Sequence, residues 1–311
     1  MTLIRAAGSD ELPALLEYPG DTERNAATRA YLGQLLDTTC TRPAWCLVAE
    51  DDGGRLVGSV VLWTLPGHEV PYAFVLFEAQ AQGVGAALLE AAVAKARELG
   101  ADELEHVIDS PAQAPQFQRE PERRGELLRG AGFRVVRDGR RFSLRVPGQP
   151  GRLPADDARL TFRSLAGLGR GPFLDLLEHL LAVTSDARLA ADVERYGARR
   201  AAEQLLEETA ELRHEPHWWE IGHDLDGTPA VISLPTQNPS VPVIGFVGVA
   251  PAHRGKGYAT SAVIRGTRIL AANGATEIRG DCDAANAAMA KAFTRAGYEN
   301  FADRLEYSRA L

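Results

Sequence analysis

The sequence predicts an α/β (α+β) chain of two tandem repeats, each a mixed, mostly antiparallel sheet flanked by helices. Three observations carry this expectation. A glycine-rich turn, His253-Arg254-Gly255-Lys256-Gly257-Tyr258-Ala259-Thr260, follows the apolar run Val243 to Val249 and opens the amphipathic stretch Ala259 to Ala272. The same order of strand, glycine turn and helix recurs earlier, at Ala73 to Phe77, Gln82-Gly83-Val84-Gly85-Ala86-Ala87, and the helix face Leu88, Ala92, Ala96 and Leu99. Between the two, Pro147-Gly148-Gln149-Pro150-Gly151-Arg152-Leu153-Pro154 holds too much Pro and Gly to continue a strand or helix. For 311 residues, two domains are the better prior, here 1–147 and 160–311 with a linker at 148–159.

Each repeat then reads element by element. A first strand at Leu3-Ile4-Arg5 is matched by Leu160-Thr161-Phe162-Arg163. Helices follow at Thr22 to Leu36 in the first half, and at Pro172 to Val183 and Ala187 to Glu211 in the second. A strand pair comes next: Cys46 to Glu50 and Leu56 to Trp63 around Asp51-Asp52-Gly53-Gly54, then Trp218 to Leu225 and Pro229 to Leu234 around Asp226-Gly227. Gly100 stops the helix after the first glycine turn, as Gly274 stops its counterpart. Strands Leu104 to Ile108 and Glu277 to Cys282 lead to helices ending near Arg129 and Arg295, and Gly132-Phe133 matches Gly297-Tyr298.

Composition narrows the function classes. The net charge of −8 is mild, and no Lys/Arg block or basic aromatic platform is present, which argues against nucleic-acid binding. Cys40, Cys46 and Cys282 are odd in number, lack metal-ligand spacing and accompany no secretory apolar segment, so a reduced cytoplasmic setting and no metal are expected. No apolar run approaches a membrane span, and a monomer or homodimer is expected.

The glycine turn after Val249 gathers free backbone N–H groups at a helix start, where glycine allows close approach and the helix dipole favours an anion. It is not a Walker A loop, which needs Gly-x-x-x-x-Gly-Lys-Ser/Thr. Nor does it sit in the first strand-to-helix turn, as a dinucleotide fingerprint would. Its spacing Arg254-x-x-Gly257-x-Ala259 resembles the Arg/Gln-x-x-Gly-x-Gly/Ala signature by which the GNAT acetyltransferase superfamily holds the pyrophosphate of acetyl-CoA. Gln82-x-x-Gly85-x-Ala87 resembles it too. The later order of strand, Asn286, short helix and Gly-Tyr is similar to the second half of that fold.

The resemblance implies a cofactor, acetyl-CoA, and a set of residues that hold it. Val247, Gly248 and Val249 on the fourth strand of the second repeat would lie nearest the acetyl group. Arg254, Gly255, Lys256, Gly257, Tyr258, Ala259 and Thr260 would take the pyrophosphate. Asn286 would contact the CoA arm, though Asn is also a preferred helix cap, and Asp283 is an equal cap candidate. Phe293 stands where many members carry a Tyr that protonates the leaving thiolate; its ring is expected to pack on the cofactor but cannot donate a proton. The acid then comes from water or from Tyr258, Tyr298, Tyr307 or Cys282, none of which is singled out by spacing. The fourth strand lacks the carboxylate that members commonly use as base, so Glu220, Asp281, Asp283 or a water chain is the candidate acceptor, and strand alternation sets Asp281 and Asp283 on one face with Cys282 on the other. His217, Trp218 and Trp219 line an acceptor pocket or belong to the core, and His253 is a loop residue.

The first repeat keeps its cradle residues Gln82, Gly83, Val84, Gly85, Ala86 and Ala87, either as a second acetyl-CoA site without turnover or, the favoured expectation, in a structural or vestigial role. It carries Pro121 and Leu128 where Asn286 and Phe293 align, and a Pro/Gln-rich insertion from Ser110 to Pro121. The layout resembles tandem GNAT proteins such as mycothiol synthase, in which the second domain is catalytic. The resemblance implies an acetyl-CoA-dependent N-acetyltransferase acting on a primary amine of a small molecule by direct attack in a ternary complex. The alternative is a non-catalytic acyl-CoA-binding or regulatory protein.

Overall fold

The computed structural model describes the chain apart from residues 1, 16, 18–19, 79–82, 114–117, 119, 147, 149–152 and 239–240, and apart from the side chains of 76–78. Contacts gather it into two compact units, Met1–Val136 with Arg304–Leu311, and Arg137–Asp303.

In the first unit the strands run β1(Leu3–Ala6), β2(Cys46–Glu50), β3(Leu56–Trp63), β4(Ala73–Glu78) and β5(Glu103–Ser110), and the end of β12(Glu299–Ala310) lies beside β5. The helices are α1(Thr22–Asp37), α2(Val84–Glu98) and α3(Pro121–Gly130). Local chemistry sets the bounds. Asp21 caps α1 by accepting the Arg24 N–H, and Asp51 organises the β2–β3 turn by accepting the N–H groups of Gly53 and Arg55. The face of α2 bearing Leu88, Leu89, Ala92, Val93 and Ala96 is buried on the sheet with Trp45, Val60, Leu62 and Leu104.

The second unit orders its strands β12-β6-β11-β10-β9-β8-β7, from the start of β12 and β6(Arg134–Arg145) through β11(Glu277–Asp283), β10(Pro242–Val249), β9(Pro229–Gln237) and β8(Glu220–His223) to β7(Thr161–Ser164). Helices α4(Leu165–Leu168), α5(Arg170–Leu181), α6(Ala187–Tyr196), α7(Ala198–Glu211), α8(Tyr258–Ala272) and α9(Ala287–Arg295) complete it. The expected single helix from Ala187 to Glu211 is two helices, because Gly197 takes a left-handed φ of 81° between them.

The twelve-residue strands β6 and β12 escaped the sequence reading. Both are dominated by Arg, Asp and Glu, so no apolar alternation marks them. The two units meet along the chain inside these strands: Val136/Arg137 divides β6, and Asp303/Arg304 divides β12. Each unit therefore contains the last strand segment contributed by the other repeat.

Candidate active site

The site begins where two parallel strands part. β10 and β11 share one register pair, Val243↔Arg279, and then separate, while β10 stays paired to β9 as far as Val249↔Val231. A bulge between Ile244 and Phe246 sets Gly245 out of the ladder, and a Cβ there would stand 2.8 Å from the Leu234 carbonyl oxygen. Only glycine fits. Past the bulge, Phe246 to Val249 are half-exposed in the interior of the sheet, whereas Ala230 to Thr236 of neighbouring β9 are buried. Backbone groups of β10 that point toward β11 have no strand to pair with, so an extended amide-bearing ligand could take those bonds.

The open strand runs into the glycine turn. Gly255 and Gly257 both adopt left-handed φ, 79° and 85°, and a Cβ on either would meet nothing within 4 Å. Gly257 caps α8 without a side-chain bond, and the N–H groups of Gly255, Lys256, Gly257, Tyr258 and Ala259 find no acceptor among the described residues. Five free donors at the positive end of a fifteen-residue helix, with exposed Arg254 and Lys256 alongside, have the chemistry that suits an anion. These residues fit a diphosphate.

The comparisons agree with the geometry. The acetyltransferase (GNAT) domain family matches residues 42–120 and, through a second family of the same description, residues 172–299. The chain belongs to the GNAT acetyltransferase superfamily, as a tandem pair. A GCN5-related N-acetyltransferase from Sphaerobacter thermophilus is similar in fold, with a TM-score of 0.65 at 17% identity over 99% of this chain and 95% of that one. A GCN5-related glucosamine N-acetyltransferase region of a fungal multi-domain GH3 β-N-acetylglucosaminidase gives 0.58 at 15% identity, over 99% of this chain and 38% of that one. A tandem GNAT protein from the clavulanic acid pathway gives 0.48 at 16%, over 100% and 98%. Among curated proteins none matches.

Within this GNAT unit the expected site residues fall into distinct roles. Val247 and Val249 turn toward the α8 side with Tyr258 and Ala262, and Gly248 is forced by Leu180, whose Cδ1 would stand 2.6 Å from a Cβ. Ala259 and Thr260 form the first turn of α8. Asn286 caps α9, its Oδ1 accepting the Met289 N–H at 3.0 Å, and its Nδ2 has no partner among the described residues. The cap is therefore Asn286 and not Asp283.

Two expectations are corrected by packing, and one open alternative resolves. Phe293, expected on the cofactor, is 1% exposed in the core, stacked on Phe142 at 5.0 Å and edge-on to Tyr298. Glu220 has both oxygens on Arg265, at 2.6 and 2.8 Å, and faces α8, so it is no free base. Trp218 and Trp219 are core residues, with the Trp219 indole donating to the Pro235 carbonyl at 3.1 Å. Tyr258 is buried at the head of α8, and Tyr298 is buried with its hydroxyl on Thr267 Oγ1 at 2.7 Å, burial pushing that phenol further from ionisation.

At the end of β11, Arg137 bonds Asp281 Oδ1 at 2.9 Å and Asp283 Oδ1 at 2.6 Å, confirming that both project to one face. Asp283 spends its other oxygen on the Ala187 N–H at the start of α6. Burial and then the charge of Asp283 raise nearby Asp186 above the usual carboxylate range. Asp281 alone of the three proposed bases retains an unengaged oxygen, and its side chain is 53% exposed. Cys282 faces the α9 side, where burial raises its thiol to about 11. Sequence reasoning missed Arg137, which lies 144 residues from Asp281, and the contact of buried His253 with Asp224. No local signal links such distant residues.

The first repeat carries a closed version of the same groove. β4 and β5 share the single pair Ala73↔Glu105, but β4 has no bulge against β3. At the next position the His106 Nδ1 donates to the Phe74 carbonyl at 3.0 Å, and its ring stacks on Phe74 at 4.5 Å. Since a carbonyl only accepts, Nδ1 carries the proton. Gln118, from the insertion, donates to the Val107 carbonyl at 3.0 Å. Gly83, φ 87°, caps α2, so Gly85 lies inside the helix and does not match Gly257 as the spacing suggested; the turn glycine is Gly83. Val84 and Gly85 are buried, Ala86 and Ala87 continue the first turn, and Gln82 lies outside the described residues.

Proposed function

We propose that the second unit is an acetyl-CoA-dependent N-acetyltransferase that acylates a primary amine of a small molecule by direct attack in a ternary complex. The observation that carries this reading is the groove that opens past Val243↔Arg279 and ends on five unpaired N–H groups. The backbone of Phe246 to Val249 would hold the pantetheine arm, Arg254 to Thr260 the diphosphate, and Asn286 Nδ2 the arm's amides. Acetyl-CoA supplies the acetyl group as an activated thioester.

The chain must then accept a proton from the amine and polarise the thioester carbonyl. A backbone N–H of β10 serves the second role, because it is fixed in place before charge develops. For the first, Asp281 Oδ2 is the acceptor we assign: it is unengaged, solvent-open and at the end of the strand that walls the groove. No side-chain acid is needed for the leaving group. A thiol of pKa about 8.5 leaves as thiolate and takes its proton from water, whereas Cys282, at about 11, would hold its own more tightly.

Incubation with acetyl-CoA and a panel of small amines, read by free thiol, tests the proposal. Thiol released only with an amine present supports it. CoA binding by calorimetry with no thiol release from any amine would instead support the non-catalytic acyl-CoA-binding reading.

A further inference from the structure

The cofactor turn of the second unit is held from outside its own motif. Upstream, Asp224 in the β8–β9 turn uses Oδ1 to accept the N–H groups of Asp226 and Thr228, at 3.0 and 2.9 Å, and Oδ2 to meet His253 Nε2 at 2.8 Å. That contact holds the Asp224 carboxyl below its usual range. His253 directly precedes Arg254, is buried, and has no partner at Nδ1, so among the described residues Asp224 is the one polar partner of its imidazole. The imidazole lies 6.1 Å from the Tyr258 ring at 29°.

On the other side stands Arg159, its Cζ 5.0 Å from the same Tyr258 ring. Its Nη1 donates to the Lys256 carbonyl at 3.2 Å, in the middle of the turn. Asp157 holds this guanidinium through bonds of 2.9 and 2.7 Å and also accepts the Ser261 hydroxyl of α8 at 2.7 Å. The turn from Arg254 to Gly257 thus has an anchor before it, one within it and one after it. Two glycines in four residues would otherwise leave it loose, and ordering a loop at the moment of binding weakens affinity.

We propose that Asp224 and Arg159 are positioning residues for the cofactor turn: acting through His253, Tyr258 and the Lys256 carbonyl, they keep Gly255 and Gly257 left-handed so that the free N–H groups converge on the diphosphate of an acyl-CoA. Neither residue belongs to the Arg254-x-x-Gly257-x-Ala259 signature. The inference rests on the reading of this unit as a CoA-dependent acyltransferase.

The test compares donors with and without a diphosphate, using the full chain and an amine found by thiol release. Arg159→Ala and Asp224→Ala should each lower kcat/KM with acetyl-CoA ~10-fold, chiefly through KM, and raise the Kd of CoA by calorimetry alike. With S-acetylpantetheine, which lacks the diphosphate, both variants should match the parent protein. Asp224→Asn should recover most of the acetyl-CoA rate, because an amide oxygen still accepts from His253. Arg159 is 53% exposed, so its replacement keeps the test valid if Asp224→Ala does not fold. Equal loss with both donors, or no loss with acetyl-CoA, overturns the proposal. A parent protein that binds no CoA at all would overturn the acyltransferase reading instead.

Discussion

The two repeats keep one parallel rung between their fourth and fifth strands and part company at the next residue. Aligning Ala73↔Glu105 with Val243↔Arg279 sets Phe74 against Ile244, His106 against Gly280, Val107 against Asp281 and Asp109 against Asp283. In the first repeat the imidazole of His106 supplies the N–H that a continuing ladder would have brought to the Phe74 carbonyl, and Gln118 serves Val107. In the second, Gly280 has no side chain to do this, Gly245 bulges, and the strand edge is left open. The groove is made by removing side chains, not by adding catalytic ones. The same alignment separates the carboxylates that both repeats share from the one proposed as the proton acceptor. Asp109 pairs with Arg304 through two bonds of 2.8 Å, as Asp283 pairs with Arg137, so this ion pair belongs to the fold in both repeats. Asp281 aligns with Val107, so the first repeat has no carboxylate at that position.

The largest effect should come from placing a charge in one turn and then the other. Gly257→Asp sets a carboxylate against the diphosphate and strains a φ of 85°, so CoA affinity should fall at least tenfold, about 1.4 kcal/mol, and acetylation should be lost. Gly83→Asp, at the matching cap of α2, should leave both unchanged, and calorimetry should count one CoA per chain. A stoichiometry of two, or equal loss in the two folded variants, would break the comparison. Asp281→Asn keeps an acceptor for Arg137 but loses the proton acceptor; kcat should drop on the order of 100-fold with KM for acetyl-CoA unchanged. An unaltered kcat would remove Asp281 from the chemistry and leave water as the base.

A third prediction concerns stability in acid. Burial lowers the His106 imidazole to about 3, while the unfolded chain takes up that proton near 6.5, so between these values the unfolded state binds more protons. Stability from this residue is complete above pH 6.5 and is lost as pH falls toward 3, by up to about 1.4 kcal/mol per unit. His106→Gln can still donate to the Phe74 carbonyl and should flatten that part of the melting profile between pH 7 and 5. Gly280 gives the second unit no equivalent term. An unchanged profile would show that His106 is not the neutral, buried donor that closes the first groove.

Much of this was legible in the sequence, and the limits have physical causes. The glycine turn and the Asn286 cap are readable because each depends on residues within one turn of one another, and the duplication because such a local pattern recurs in the second half. The fate of the carboxylates was not, since it depends on Arg137 and Arg265, set against them by pairing 144 and 45 residues apart. Gly85 was matched to Gly257 by spacing, yet helix α2 starts at Val84, and only the backbone dihedral of Gly83 reveals the true cap. The strands β6 and β12 were hidden because their charged residues serve as ion-pair donors, among them Arg137 and Arg304, and so break the apolar alternation that announces a strand.

Phe293 gives the smallest and sharpest test. In the Phe133/Leu128 turn the Phe133 N–H bonds the Leu128 carbonyl at 3.0 Å, as the Tyr298 N–H bonds the Phe293 carbonyl at 3.1 Å, so Leu128 and Phe293 are equivalent core residues of α3 and α9. The larger ring in the second repeat fills the space over Gly280, where a Cβ would stand 2.6 Å from its edge; the smaller Leu128 goes with His106 in the first. Volume is shared between helix and strand in opposite ways. A Tyr at 293 would therefore bury a hydroxyl without a partner, costing about 1–3 kcal/mol, and would not reach a leaving thiolate. Phe293→Tyr should lower the melting temperature by several degrees with kcat within twofold. A gain in turnover at unchanged stability would mean that the ring faces the cofactor after all, and that the filling of Gly280's space is not what fixes it.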